Sequence, residues 1–114
     1  MSAQRGEQRL EGTELERAYE KLAVYSALDN RIRLKAFFVI AKEPGISFNE
    51  IRSRLEVEKG HLAYHLGLLK ASGLVAFTYE RKGRVTSRYD LTERGERMLQ
   101  ELTEGTGAAG NPPN

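Results

Sequence analysis

Few side chains in this sequence have the type and spacing needed for chemistry, and two of them are histidines four residues apart. His61 and His65 would lie on one side of a helix, which is the spacing at which two imidazoles can share a metal ion. However, the chain has no cysteine, and no Glu stands between the two histidines as it does in zinc proteases. We expect His65 to be packed or to touch a phosphate rather than to bind a metal, and we expect neither a metal site nor a bound cofactor.

Some of the carboxylates on the first and last predicted helices could also support catalysis. These are Glu14, Glu16 and Glu20 on the first helix and Glu93, Glu96, Glu101 and Glu104 near the last. Solvated helix faces with oppositely charged neighbours explain such a pattern. The sequence has no Ser-His-Asp order, phosphate-binding loop or dinucleotide fingerprint, so we predict that the protein is not an enzyme.

Positive charge is concentrated in one segment, although the 114 residues carry a formal net charge of only +2. Between Lys59 and Arg88 there are six basic residues and a single acid. Arg81, Lys82 and Arg84 surround Gly83, and Ser87 follows. A projecting cationic loop suits a phosphate backbone or the minor groove of DNA. A loop that merely improves solubility is the alternative interpretation.

Helical periodicity and capping signals define the elements before this segment. Thr13 and Glu16 have capping-box spacing, which predicts a helix from there to about residue 27. A second helix, from residue 30 to about 42, is expected to be capped by Asp29 and to occupy the middle of the core. A second capping box at Ser47 and Glu50 opens a short helix, and another runs from about 59 to 72. Two short helices joined by a tight link indicate a helix-turn-helix.

The rest of the domain is predicted to be a β-hairpin and a last helix. Residues 74–80 and 84–91 are rich in Val, Tyr, Phe and Thr, and Thr92 can cap a helix that ends near Leu102. Residues 1–12 and 103–114 are predicted to be disordered tails around one domain at 13–102. The longest apolar run, 36–41, is far too short for a membrane span, so we expect a cytoplasmic protein with no membrane partner.

The helix over 59–72 has two contrasting faces. Leu62, Leu66 and Leu69 cluster toward the core. The opposite face carries small residues punctuated by Tyr and His: Lys59, Gly60, His61, Tyr64, Gly67 and Ala71. Such a face suits close approach to a surface such as the DNA major groove. Glycine in mid-helix costs about 0.5–1 kcal/mol relative to Ala, so Gly67 reflects either close docking or tolerance in a stable fold.

The run from Lys59 to Val75 resembles the recognition-helix region of ArsR/MarR-type winged-helix transcriptional regulators. Its matching pattern is His-Leu, two residues, Leu, three residues, Gly-Leu-Val, with His65 as the histidine. Residues 84–95 are similar to the wing and to the Tyr-x-Leu-Thr-x-x-Gly start of the last helix, and residues 27–33, which read Ala-Leu-Asp-Asn-Arg-Ile-Arg, are similar to the opening of the second helix. The resemblance implies a mainly α winged helix-turn-helix, with a three-helix DNA-binding core, a hairpin wing and terminal dimerisation helices.

It also implies roles for individual residues. DNA contacts would come from Ser47, Asn49, Arg52, Lys59, Gly60, His61, Tyr64, His65, Arg81, Lys82, Arg84 and Ser87. Dimer contacts would come from Leu15, Tyr19, Leu22, Tyr25, Met98, Leu99 and Leu102. At Ala63 the sequence departs from its relatives, which usually carry Ser, and one expected polar contact is missing.

The sequence therefore predicts a homodimeric, sequence-specific regulator that binds double-stranded DNA, with residues 59–72 in the major groove and the wing at 81–88 on the minor groove or backbone. Three alternatives remain open. The same fold could dock on another protein, bind any duplex as a nucleoid-associated protein does, or respond to a metal, a small molecule or a protein effector.

Overall fold

A computed structural model describes residues 13–82 and 84–110, which form five helices and three short strands. In chain order they are α1 (Leu15–Leu28), α2 (Arg31–Lys42), β1 (Ile46–Ser47), α3 (Phe48–Leu55), α4 (Lys59–Ala71), β2 (Val75–Lys82), β3 (Arg84–Leu91) and α5 (Glu93–Gly110). The predicted mainly α fold with a helix-turn-helix and a hairpin wing is confirmed. None of the described helices is long and apolar enough to cross a membrane.

The caps of the first two helices differ from those predicted. Glu14, not Thr13, is the N-cap of α1, and its side chain makes no capping hydrogen bond. Asn30, not Asp29, caps α2, because its side-chain oxygen accepts from the backbone N–H groups of Ile32 and Arg33 at 2.9 and 3.0 Å. Asn and Asp cap helices about equally well, so composition alone could not choose between adjacent candidates.

The helix-turn-helix is formed by α3, a three-residue link and α4. The capping box is confirmed: Glu50 N–H donates to the Ser47 hydroxyl, and Ser47 N–H donates to the Glu50 carboxylate. Glu56 ends α3 in the left-handed conformation, with φ 55° and ψ 48°. Gly73, as predicted, has a positive φ of 80° directly after α4, and its N–H donates to the Lys70 carbonyl.

The sheet has one strand more than the sequence predicted. β1 pairs antiparallel with β3, which pairs antiparallel with β2, giving the order β1-β3-β2. Two residues are too few to show strand periodicity, which is why β1 was missed. The hairpin is also longer than expected, since Lys82 and Arg84 are paired residues at the strand ends rather than parts of a loop. Gly83, between them, lies outside the described residues.

The core lies where α2, α4 and the sheet meet. Its largest fully buried side chains are Phe37, Ile40, Ile51, Leu62, Leu69, Leu74 and Val75. Thr92 caps α5 as predicted, since its hydroxyl accepts from Gly95 N–H and donates to the Gly73 carbonyl. α5 continues beyond Leu102 to Gly110, so part of the predicted C-terminal tail is helical. Residues 1–12 and 111–114, which hold the remaining tail predictions, lie outside the described residues.

Candidate nucleic-acid interface

The two faces of α4 are divided as the sequence predicted. Leu62, His65, Leu66 and Leu69 are buried. The other side is exposed and includes Lys59, Gly60, His61, Ala63, Tyr64, Gly67 and Ala71. The Tyr64 side chain is 61% exposed and meets the His65 ring edge to face, with centroids 5.2 Å apart. The ring of an exposed tyrosine is thus held in place on a helix face that otherwise consists largely of small residues.

Both glycines of α4 border open space. A Cβ atom added to Gly60 or Gly67 would meet no atom of the described residues within 4 Å. Packing within the described part of the chain therefore requires neither glycine. Gly95 is the opposite case, because its Cβ would overlap the Leu74 carbonyl, which explains a glycine in the first turn of α5.

His65 is only 8% exposed and contacts Arg33 of α2. Its Nδ1 lies 3.1 Å from an Arg33 Nη1, and because a guanidinium can only donate, Nδ1 must accept and the imidazole is neutral. Burial, and then the charges of Arg33 and His61, lower the pKa of His65. The structure therefore does not present His65 to a DNA surface as the resemblance implied; it supports α4 from inside.

Arg33 links three elements that the sequence analysis did not connect. Its Nε donates to the Ala27 carbonyl at the C-terminal end of α1 at 2.5 Å, while Nη1 reaches His65 on α4. The only sequence signal was its place in residues 27–33, which resemble the opening of the second helix in ArsR/MarR-type regulators. α4 is thus connected to α1 through one side chain.

The cations of the wing fall into two groups. Arg81 is exposed, and Lys82 and Arg84 occupy the paired positions nearest the turn. Arg88, at the base, instead forms an ion pair with Glu80 at 2.9 Å and donates to the Gly45 carbonyl at 3.3 Å. Arg88 therefore stabilises the sheet through these contacts, while Arg81 is available to an external partner.

A cation–π contact joins α4 to the wing. Lys70 Nζ lies 3.8 Å from the centroid of the Phe77 ring, and Phe77 in turn contacts Tyr89 and Tyr79. Tyr89 is buried, whereas Tyr79, nearer the tip, is 64% exposed. Lys70 and Tyr79 could not be selected from the sequence, because their roles depend on how far the hairpin extends beyond the core.

The N-terminus of α3 is less suited to phosphate than the sequence suggested. Ser47 is buried, and its hydroxyl is the N-cap. The N–H and hydroxyl of Ser47 lower the pKa of the Glu50 carboxyl, so an anion already occupies this helix end. Asn49 and Arg52 are exposed, and Arg52 Nε donates to the Val57 carbonyl in the link at 3.3 Å. Ser87, on β3, is half-buried.

The residues predicted to form a dimer interface are divided between the surface and the core. Tyr19, Leu22 and Tyr25 are exposed on α1, whereas Leu15 is half-buried. Met98 is buried within its own chain, and Leu99 and Leu102 pack against the same core. Tyr25 donates to the Glu101 carboxylate at 3.2 Å, which joins α1 to α5.

A metal site is not visible among residues 13–82 and 84–110. No group of three or more His, Cys, Asp or Glu side chains in that part of the chain could hold an ion. The Arg33 guanidinium on His65 also places a positive charge beside the pair of histidines, which opposes a bound cation.

Comparison with known proteins agrees with this geometry. The family model described as winged helix DNA-binding domain matches residues 32–104, from α2 into α5. The chain therefore belongs to the winged helix DNA-binding domain family. No curated protein sequence matches it.

Solved structures share the fold over most of the chain. NolR from Sinorhizobium fredii has a TM-score of 0.70 and 23% identity, and the match covers 85% of this chain and 94% of NolR. Reduced HlyU from Vibrio cholerae has a TM-score of 0.64 and 24% identity over 80% and 94%. An ArsR-like transcriptional regulator from a Rhodococcus species has a TM-score of 0.62 and 26% identity over 82% and 85%. The resemblance to ArsR/MarR-type winged helices is thereby confirmed at the level of the fold.

Proposed function

We propose that this protein is a transcriptional regulator that binds a specific sequence in double-stranded DNA, with α4 in the major groove. The observation that carries the proposal is the outward face of α4, which is exposed, rich in small residues and not covered by the rest of the described chain. Family membership supports DNA as the surface that this face meets. As a DNA-binding regulator it would act in the cytoplasm on the nucleoid.

Some side chains on this face can contact DNA, and others are small enough to let the helix approach it. Tyr64 and His61 offer ring edges and polar atoms to base edges, and Lys59, at the first turn, can reach a phosphate. Gly60, Ala63 and Gly67 lack bulk, so the helix backbone can approach the floor of the groove closely. Sequence preference would rest mainly on Tyr64 and His61.

The wing would supply positive charge that binds the DNA phosphates. Arg81 is exposed on β2, and Lys82 and Arg84 follow at the positions next to the turn. Cations at the end of a two-stranded ribbon suit the minor groove or the flanking phosphates, where they release counterions. We expect Arg81→Ala to weaken all duplexes alike and to lower the slope of log affinity against log salt by about one unit.

The fold also supports a homodimer built on α1. Only Val24 and Leu28 of this helix are buried, whereas Tyr19 and Leu22 point to the opposite side and are 64% and 61% exposed. Large apolar side chains that stand together on a surface commonly mark an interface. A two-fold dimer would set two α4 helices about 34 Å apart, to read a near-palindromic site. Light scattering coupled to size exclusion tests this, and a monomer at micromolar concentration would contradict it.

The test of the function is fluorescence anisotropy with the gene's own upstream duplex and a random duplex of equal length, over a salt series. We expect the upstream duplex to bind about a thousandfold more tightly or better, as specific regulators commonly do. Tyr64→Ala should reduce the ratio of the two affinities, since it removes a side chain that contacts base edges. It should leave the affinity for the random duplex unchanged. No duplex binding at low salt would reject the proposal in favour of a protein-docking module.

A second candidate is a weakly selective binder that coats DNA. It is favoured by the scarcity of hydrogen-bonding side chains on α4, where Gly60, Ala63, Gly67 and Ala71 offer none to a base edge. This candidate predicts nearly equal, salt-sensitive affinity for the upstream duplex and for several unrelated duplexes. A large ratio for any one sequence would exclude it.

A further inference from the structure

Tyr79 is a large, exposed aromatic residue at an unusual place in the sheet. Alternate residues of β2 face opposite sides, so Val75, Phe77, Tyr79 and Arg81 share one face. Val75 is fully buried and Phe77 is half-buried, yet Tyr79 is 64% exposed. The core face of the sheet therefore continues beyond the core, and Tyr79 is its first uncovered ring.

This face looks toward α4. The Phe77 ring lies under Lys70 of α4 at 3.8 Å, which fixes the side of the sheet on which the helix stands. Tyr79 is one step farther toward the wing tip on that same side, so it borders the gap between α4 and the wing.

Tyr79 is also held in a defined position. Its ring meets Phe77 edge to face, with centroids 5.1 Å apart and planes at 86°. Phe77 is held in turn by Tyr89, at 5.6 Å, and by Lys70. A ring supported in this way loses little conformational freedom when it binds a partner.

We infer that Tyr79 contacts the sugar-phosphate strand that passes between α4 and the wing, with its phenol donating to a phosphate oxygen and its ring against the sugar. This rests on the proposed function, because a helix in the major groove and a wing at the adjacent minor groove must have the intervening backbone strand between them. Tyrosine hydroxyls are among the donors that contact phosphates. A hydroxyl donor brings no positive charge to the phosphate, so this contact positions the duplex without releasing a counterion.

The first test separates this contact from those of the cations. Tyr79→Phe removes the hydroxyl but keeps the ring on Phe77, and we expect a loss of affinity of about two- to tenfold at every salt concentration, with the salt slope unchanged. Arg81→Ala on the same face should instead lower the slope by about one unit. Thr78→Ala, exposed on the opposite face of the same strand, should bind as the wild type does.

The second test uses the absence of tryptophan from the sequence. Tyr79→Trp introduces a unique fluorophore, and we expect duplex DNA to protect it from acrylamide quenching. Lys35→Trp, at an exposed position on the outward side of α2, is the control and should show no change when DNA is added.

The outcomes distinguish the inference from the proposed function. Unchanged affinity of Tyr79→Phe, or unchanged quenching of Tyr79→Trp, with a wild type that binds DNA would overturn the role of Tyr79 and leave the proposed function standing. If the wild type binds no duplex at low salt, the proposed function fails, and the role of Tyr79 fails with it.

Discussion

At the scale of single residues, the Arg33–His65 contact makes stability depend on pH. The pKa of His65 is lowered in the folded state, first by burial, so the unfolded chain binds more protons there. Stability then rises with pH wherever this difference exists. The contribution is complete above the unfolded value of about 6.5 and is lost as the pH falls through 6.5 toward the lower folded pKa.

We therefore expect the free energy of unfolding, measured by urea denaturation, to fall between about pH 7 and pH 5, and part of that fall to disappear in His65→Gln. The glutamine can still accept from Arg33 and cannot titrate. Because burial is the first cause of the lowered His65 pKa and the charge of His61 the last, His61→Gln should retain most of the pH dependence. An identical pH profile in His65→Gln and the wild type would show that His65 is not the titrating group.

Gly67 offers a second prediction at this scale, in which stability and binding change in opposite directions. Because its Cβ would meet open space, Gly67→Ala should raise the free energy of unfolding by about 0.5–1 kcal/mol. The added methyl group would stand on the face that approaches the groove, so affinity for the specific duplex should fall. Thermal unfolding and anisotropy measure the two effects.

Gly95→Ala is the control for Gly67→Ala, because here the added methyl group should lower the free energy of unfolding instead of raising it. Its Cβ would overlap the Leu74 carbonyl, so this variant should be destabilised rather than stabilised. If Gly67→Ala is more stable and binds DNA as the wild type does, the glycine reflects tolerance in a stable fold and not close docking.

At the scale of elements, the link in the helix-turn-helix contains a strained residue. Glu56 has a left-handed backbone, which costs an ordinary L-residue roughly 1–2 kcal/mol, while its side chain is exposed. Replacement by glycine removes this cost but makes the unfolded chain more flexible. We expect Glu56→Gly to raise the free energy of unfolding by about 0.5–1 kcal/mol.

The matched control is Glu58→Gly in the same link. Glu58 is exposed and has an extended backbone, with φ −68° and ψ 147°, so glycine relieves no strain there. Chemical denaturation should show this variant to be no more stable than the wild type. Equal effects at both positions would mean that the backbone conformation at Glu56 carries no cost.

Several helix ends could be predicted from the sequence, whereas one of the strands could not. Ser47 with Glu50, Gly73 and Thr92 are local signals, and the structure uses each as expected, because capping needs only residues a few positions apart. β1 was missed because its two residues become a strand only through pairing with β3, a nonlocal event.

The candidate interface divides in the same way. The exposed face of α4 follows from helical periodicity, so Tyr64 and Gly67 could be placed on it from sequence alone. His65 and Arg33 could not be paired, and Tyr79 could not be selected, since these depend on how helices and sheet approach each other.

At the scale of the whole molecule, the outward side of α1 decides the assembly. Tyr19 and Leu22 lie opposite the buried Val24 and Leu28, so this apolar surface is not needed for the chain's own core. A second copy that covers α1 would bury this apolar surface.

Leu22→Glu tests this assembly. The side chain is 61% exposed in the single chain, so the fold should survive, whereas a carboxylate buried without a partner at a dimer interface would be strongly disfavoured. We expect light scattering to show a monomer and circular dichroism to show an unchanged helix content. Affinity for a full palindromic site should fall at least tenfold, because the two half-sites no longer bind as one unit, while affinity for an isolated half-site should stay the same. A Leu22→Glu protein that remains a dimer, or that binds both duplexes as the wild type does, would place the dimer contact away from α1.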